Sequence, residues 1–243
     1  AGDSRGLFIG GVENTYVNKI EYVTTTGPGN AQSFGSLVGT YNNSATASNG
    51  ITAITAMGSN QSSIEKITIA TTGNASTWSS SLTDSRNGGA GASDGTKGFF
   101  IGGYSGGATN VIDYVTIATD ANAADWGDLI TARTGTGGNA ACGTSTRILV
   151  GGGYNSSNQT ISSIEYWSPA SAGNAYSFGN LTETAAWSTS ACNYTKAVWV
   201  GGFNTARTTL ENIVTIDTAA NATTFGSYAF ALNSGASLSG AAS

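Results

Sequence analysis

Gly73-Asn74-Ala75-Ser76-Thr77-Trp78 is one instance of a phrase that runs through the whole chain. Its kernel, Asn-Ala-x-x-aromatic, recurs at Asn30 with Phe34, Asn74 with Trp78, Asn122 with Trp126, Asn174 with Phe178 and Asn221 with Phe225. Successive Asn positions are 44, 48, 52 and 47 residues apart. Nine residues ahead of the first four stands a carboxylate (Glu21, Glu65, Asp113, Glu165), and in the fifth copy Glu211 lies one residue further back. Upstream again is an apolar run that usually ends in Gly-Gly, at residues 7–11, 99–103, 148–152 and 198–202; the second copy, 51–58, is degenerate. Periods of about 40–50 residues made of short strands mark propellers and similar arrays.

One repeat reads as four short strands. A run of small residues (140–143 in one copy, 185–193 in the next) is followed by the apolar run, and then by a segment of alternating polarity such as Ser163 to Ser168. The last strand carries the aromatic and, in most copies, a Leu. Turn signals every 8–12 residues, with no helical period, specify an antiparallel all-β unit. Each unit has too little core to stand alone and must stack on its neighbours. The sequence therefore predicts an all-β five-bladed β-propeller with four antiparallel strands per blade, in repeats of approximately 5–49, 50–96, 97–146, 147–195 and 196–243. Arg5 opens the second strand of a blade, and residues 237–243 have the composition of the missing first strand. Pairing of these N- and C-terminal strands is expected to close the ring. The Gly-Asn turns are expected to use positive φ, and the aromatics to fill the wedges between blades.

Only 9% of residues are charged, against about 25% in an ordinary soluble domain. The 39% apolar residues arrive in regular blocks, which separates the chain from a disordered low-complexity segment. A net charge of −5 offers no basic stripe, so no nucleic acid partner is expected. No apolar run approaches the roughly 20 residues of a membrane span, so no membrane insertion is expected. Neither a signal peptide nor an initiator Met is visible. Cys142 and Cys192 lie one repeat apart at nearly equivalent positions where other copies carry small residues, and packing explains them as well as a bridge does. The Asn-x-Ser/Thr triplets are expected by chance in so Asn-, Ser- and Thr-rich a chain, so glycosylation is not inferred from them.

The Gly-Gly doublets, the Tyr of the third strand (Tyr22, Tyr114, Tyr166) and the aromatic-then-Leu of the fourth (Trp78 with Leu82, Trp126 with Leu129) resemble the Kelch repeat. The phrases TIATTGNASTW (68–78), TIATDANAADWGDLITAR (116–133) and RGLFIGG (5–11) look like Kelch-like repeats of bacteriophage virion and tail-associated proteins. That resemblance implies a virion or extracellular location, with other virion proteins or a host-surface glycan or protein as partners. It brings no catalytic residue with it.

The chain has no histidine, which removes Ser-His-Asp and Cys-His catalysis and His-ligated metals. Copper oxidases of Kelch-like fold need such ligands. Ser93-Asp94-Gly95-Thr96 echoes the Asp-box of sialidase-like propellers, but it is neither repeated nor followed by the expected Trp. The five carboxylates Glu21, Glu65, Asp113, Glu165 and Glu211 could be read as a cation or glycosidase site. Their presence in every repeat instead favours a structural role, shared with Asn30, Asn74, Asn122, Asn174 and Asn221. No catalytic residue, metal or cofactor is expected.

What varies between repeats is the set of second-to-third and fourth-to-first loops, which strand alternation places on one face. Loops on a rigid frame collect binding residues, and aromatics and amides suit recognition. Tyr16, Tyr104, Tyr154, Asn155, Trp187, Phe203, Asn204, Arg86 and Arg133 are the candidates. The expectation is a non-enzymatic virion-associated module that is structural, decorative or host-attaching, or alternatively a free lectin-like propeller.

Overall fold

The computed structural model describes residues 5–136 and 141–232, apart from the side chain of Cys142. Every regular element among them is a strand. Blade 1 holds β1 (Arg5–Ile9), β2 (Lys19–Thr24) and β3 (Gln32–Ser36). Blade 2 holds β4 (Ala45–Ser48), β5 (Thr52–Ala56), β6 (Gln61–Thr68) and β7 (Ser76–Arg86). Blade 3 holds β8 (Ala90–Ser93), β9 (Lys97–Ile101), β10 (Thr109–Thr116) and β11 (Ala124–Arg133). Blade 4 holds β12 (Ala141–Gly143), β13 (Ile148–Gly151), β14 (Ser163–Trp167) and β15 (Tyr176–Asn180). Blade 5 holds β16 (Thr189–Cys192), β17 (Lys196–Val200), β19 (Ala206–Thr215) and β20 (Thr223–Leu232), with the short β18 (Phe203–Asn204) turned back on β19. The sheets are antiparallel, follow chain order and stand in a ring as a five-bladed β-propeller. The sequence repeat and the sheet are offset by one strand, because each small-residue strand pairs with the repeat that follows it. The expected pairing of residues 237–243 with β1 lies outside the described residues.

The core is built between blades rather than within them. Each of its four clusters joins two neighbours, as where Phe34 and Leu37 of blade 1 meet Ile67, Ile69 and Ala75 of blade 2. Phe178 and Leu181 of blade 4 meet Trp199, Val214 and Ile216 of blade 5 in the same way. The fourth-strand aromatics Phe34, Trp78, Trp126 and Phe178 are buried in these wedges, as the sequence predicts. A buried ring removes roughly 150–250 Å² from water. Phe225 departs from the pattern: it is 62% exposed. The first strands are made of Ala, Gly, Ser and Thr because they run against one another near the axis. A side chain at Gly91 would collide with the backbone of Thr46.

The repeated polar residues are the seams of these wedges. The Glu65 carboxylate accepts the N–H groups of Val38 (2.8 Å) and Gly39 (3.0 Å) from blade 1. Glu165 accepts those of Ile130 (2.7 Å) and Thr131 (3.1 Å) from blade 3. Asp113 accepts the N–H and hydroxyl of Thr83 from blade 2. At the blade 4/5 seam the acceptor is Asn212, bonded by the N–H and hydroxyl of Thr182, both at 2.8 Å. Strand register places Asn212 opposite Trp199 in this seat, whereas Glu211, the residue expected there, pairs with Val200 and Gly226. An amide oxygen serves as well as a carboxylate, because the seat needs only an acceptor for buried donors.

The Asn turns have a different reason from the expected one. None of Asn30, Asn74, Asn122, Asn174 or Asn221 has positive φ. Instead the Oδ1 atoms of Asn74, Asn174 and Asn221 accept N–H groups of Ser36, Asp128 and Asn180 in the preceding blade, at 3.0–3.1 Å. In blade 3 Asp120 does this for Ser79 (2.7 Å) while also bonding Lys66, and these bonds hold its carboxyl below the usual range. The glycine doublets do mark close approach: Gly102 has φ +60°, and a Cβ there would sit 2.6 Å from the Arg133 carbonyl oxygen.

Arg86 and Arg133, expected on the loop face, are fully buried. Arg86 pairs with Asp113 at 2.9 Å, and Arg133 pairs with Glu165 while also donating to the Gly152 and Ser163 carbonyls. Burial pushes both guanidinium groups down from their ordinary range, and the facing carboxylates oppose that shift. At the equivalent place facing neutral Asn212 the chain carries Ala185, identified by the same carbonyl contact to the second glycine of a doublet. Charge is thus matched at these three seams, whereas at the blade 1/2 seam the same carbonyl contact identifies Tyr41, and the buried Glu65 carboxylate is met by the Val38 and Gly39 N–H groups.

Arg133→Ala alone strands a buried carboxylate and is expected to destabilise the fold by about 3–5 kcal/mol. Adding Glu165→Asn converts this seam to the blade 4/5 kind and should recover much of that loss in chemical denaturation. A double variant no more stable than the single would contradict the matching.

Candidate functional site

The loop face is organised by three reciprocal backbone pairs. Tyr104, Tyr154 and Phe203 follow their glycine doublets and exchange two hydrogen bonds each with Asn87, Thr134 and Ala186 of the fourth-to-first loops, at 2.7–3.1 Å. The next residue in each of those loops is left-handed. Gly88 has φ +64°, Gly135 +63°, Trp187 +57° and, in the blade 1 loop, Asn43 +52°. Blade-to-blade bonds tie these turns into a collar: Gly88 N–H to Asn43 O (3.3 Å), Thr136 N–H to Gly88 O (3.2 Å) and Trp187 N–H to Gly135 O (2.6 Å).

Gly and Asn are the residues that tolerate this conformation, whereas a bulky side chain is held there against roughly 1–2 kcal/mol of steric strain. Trp187 is therefore the exception in its own repeat position. Its half-exposed indole lies along the collar, and a Cβ on Gly135 would stand 3.4 Å from its Cε2 and 2.6 Å from Cδ2 of Tyr154. The far edge of the indole, Cη2, comes within 3.7 Å of the Cβ position of Gly88. The glycines at 88 and 135 thus make a floor, with Trp187 and Tyr154 lying together on it. Strain held at one residue by a rigid frame is the pattern found at recognition sites.

The other candidates divide. Phe203 is half-buried beside Ala186, next to Trp187, and Asn204 Oδ1 accepts the Thr160 hydroxyl at 3.4 Å. Asn155 spends its side-chain oxygen on the N–H groups of Ser157 and Gln159 in its own loop. Tyr104 and Tyr16 are exposed, the latter on the blade 1 loop where it bridges Val12. Arg86 and Arg133 lie beneath the face and offer it no charge. Gly88 and Gly135, which position the rings, were legible only as turn residues; the signal that finds them is the left-handed position shared with Trp187.

Among the described residues no three His, Cys, Asp or Glu side chains converge. The Asp-box echo is a turn device: Asp94 Oδ1 accepts the N–H groups of Thr96 and Lys97, as Asn49 and Asn193 do at the same place in other blades. Cys192 directs its thiol to the Gly143 carbonyl (3.7 Å), while the Cys142 side chain lies outside the described residues. No described helix is long and apolar enough to cross a membrane.

No protein-family model matches this chain, and no curated protein matches it in sequence. The five-bladed propeller fold fits a binding or structural role.

Trp187→Gly removes the ring and the strain together, while glycine's extra chain entropy opposes the gain by about 0.5–1 kcal/mol. The melting temperature is expected to stay within about 4 °C of wild type, the shift that roughly 1 kcal/mol produces at this size. A fall well beyond that would make the indole a structural plug instead of a presented surface.

Proposed function

We propose that the protein is a non-enzymatic binding module that engages a glycan or protein through the loop face, with Trp187 and Tyr154 as its centre. The supporting observation is the indole held left-handed where neighbouring blades use Gly or Asn. Paired aromatic faces of this kind supply broad contact area with little rotamer entropy to lose. A non-catalytic role is supported by the absence of histidine and by the fate of the repeated acids. Asp113 and Glu165 are occupied by backbone donors and buried arginines, and Glu65 by the Val38 and Gly39 N–H groups, so none of the three is placed to exchange a proton with a ligand.

The setting we propose is a virion or other extracellular particle, where the module would be structural, decorative or host-attaching. Support for that setting comes from the resemblance of segments 5–11, 68–78 and 116–133 to phage Kelch-like repeats. A surface of neutral hydroxyl and amide groups, with net charge −5, suits protein or sugar partners over nucleic acid. A free lectin-like propeller is the second reading, favoured by the same half-buried aromatic pair, since a sugar ring stacks on the open part of an indole.

Glycan-array binding and co-sedimentation with particles separate the two settings. Either way, Trp187→Gly combined with Tyr154→Ala is expected to weaken the interaction about tenfold or more, the effect of losing an aromatic anchor worth ~1.4 kcal/mol. Undiminished binding by that double variant, or no binding by the wild type to glycans or particle proteins, overturns the proposal.

A further inference from the structure

Beside the aromatic pair on the collar, a chain of hydroxyl and amide groups crosses from blade 4 to blade 5. Thr160 is the bridge partner of Tyr154, and Asn204 follows Phe203, the partner of Ala186 next to Trp187. The Thr160 hydroxyl donates to Asn204 Oδ1 at 3.4 Å, and the Thr184 and Thr160 hydroxyl oxygens stand 2.9 Å apart. A hydroxyl has one proton to give. With the Thr160 proton committed to Asn204, the proton between the two threonines comes from Thr184. Both ends of the chain are thereby fixed. Asn204 keeps its Nδ2–H groups, which meet no acceptor among the described residues, and Thr184 Oγ1 keeps only lone pairs. All three side chains are half-buried, so each end is held in place while still open to a ligand.

The hairpin that carries Asn204 is strained in the same sense as Trp187. Thr205 sits at its tip with φ +58°, where the blade 3 hairpin has Gly106 (+74°) and the blade 4 hairpin has Asn158 (+56°). A β-branched residue in the left-handed region is a genuine outlier. Trp187 and Thr205 thus stand on either side of the reciprocal Ala186–Phe203 pair. Strain that a rigid frame holds in this way clusters where ligands are clamped. The exposed charges of the two loops, Glu183 beside Thr184 and Arg207 beyond Ala206, have opposite signs, so the strip favours neither an anion nor a cation.

We infer that the ligand of this site is a neutral pyranose of a glycan, with its C–H face on Trp187 and Tyr154 and two of its hydroxyls on Asn204 and Thr184. The inference rests on the binding role proposed for the aromatic pair and narrows it. A sugar hydroxyl both donates and accepts, so one can take an Nδ2–H while another gives its proton to Thr184 Oγ1. A carboxylate or sulfate only accepts, and the Thr184 lone pairs would face it unpaired. A protein partner calls for roughly 800 Å² of contact with an apolar centre. Here hydroxyl and amide groups border the two rings directly.

The test is a glycan array probed with the full chain, on which neutral hexose- and N-acetylhexosamine-terminated oligosaccharides stand beside the same glycans bearing sulfate or sialic acid. Binding is expected among the neutral glycans and is expected to weaken when the terminal sugar is made acidic. Asn204→Asp keeps the oxygen that Thr160 needs and replaces the Nδ2 donors with an acceptor. Thr184→Val keeps the β-branched shape and removes the hydroxyl. Each is expected to weaken binding of the selected glycan about fivefold or more, the effect of one net hydrogen bond, at the melting temperature of wild type. Binding confined to acidic glycans, binding to no glycan, or full binding by either variant that melts like wild type overturns the inference. If no glycan binds but particle proteins do, and Trp187→Gly with Tyr154→Ala abolishes that binding, the neutral-sugar ligand falls and the broader proposal stands. Glycan binding undiminished by that aromatic double variant removes both.

Discussion

The structure depends on one contact made again and again: an acceptor on the third strand of a blade holding the backbone N–H groups of the previous blade's fourth strand. Each blade buries too little to fold by itself. Its apolar side chains become core only when a neighbour covers them, as in the wedges around Phe34, Trp78, Trp126 and Phe178. Bringing two sheets together this way buries the irregular end of each fourth strand, where backbone donors have left the ladder. Unsatisfied, each such group is destabilising by about 1–3 kcal/mol. Glu65, Asp113, Glu165 and Asn212 satisfy these donors, and the same residues set the angular register of the blades.

Charge follows from that arrangement. Two of the three buried carboxylates, Asp113 and Glu165, are paired with Arg86 and Arg133 from the previous blade, while Glu65 is held by backbone N–H groups alone. Where the acceptor is the neutral Asn212, the cation is absent and Ala185 stands in its place. A chain with so few charges thus uses some of its arginines and acids inside the fold, and its surface is left to Ser, Thr and Asn. This is why composition alone suggested a low-charge exterior but could not place Arg86 and Arg133, whose position after a fourth strand reads equally well as a loop.

The repeat made the strands, blade count and wedge aromatics legible, because spacing and apolar period are properties of the chain itself. It also located the acids at Glu65, Asp113 and Glu165. It misplaced the fifth acceptor, because Asn212 differs chemically from its counterparts and the neighbouring Glu211 draws the eye. The purpose of Asn74, Asn174 and Asn221 was hidden for a related reason: their partners are in another blade, and a turn motif read locally points to φ. In the candidate site, Tyr154 and Trp187 were recognisable as loop aromatics. Their meeting over Gly135 depends on a left-handed position that only the fold reveals.

The account's central claim concerns backbone amides, so amide hydrogen exchange tests it most directly. The N–H groups of Val38, Gly39, Ile130, Thr131 and Thr182 are predicted to exchange slowly, with protection close to that of the strands behind them, because each is held by an acceptor from the next blade. Exchange at the rate of solvated loop amides at these positions would mean that the seams are not fastened this way, and the explanation of the repeat would fall with them.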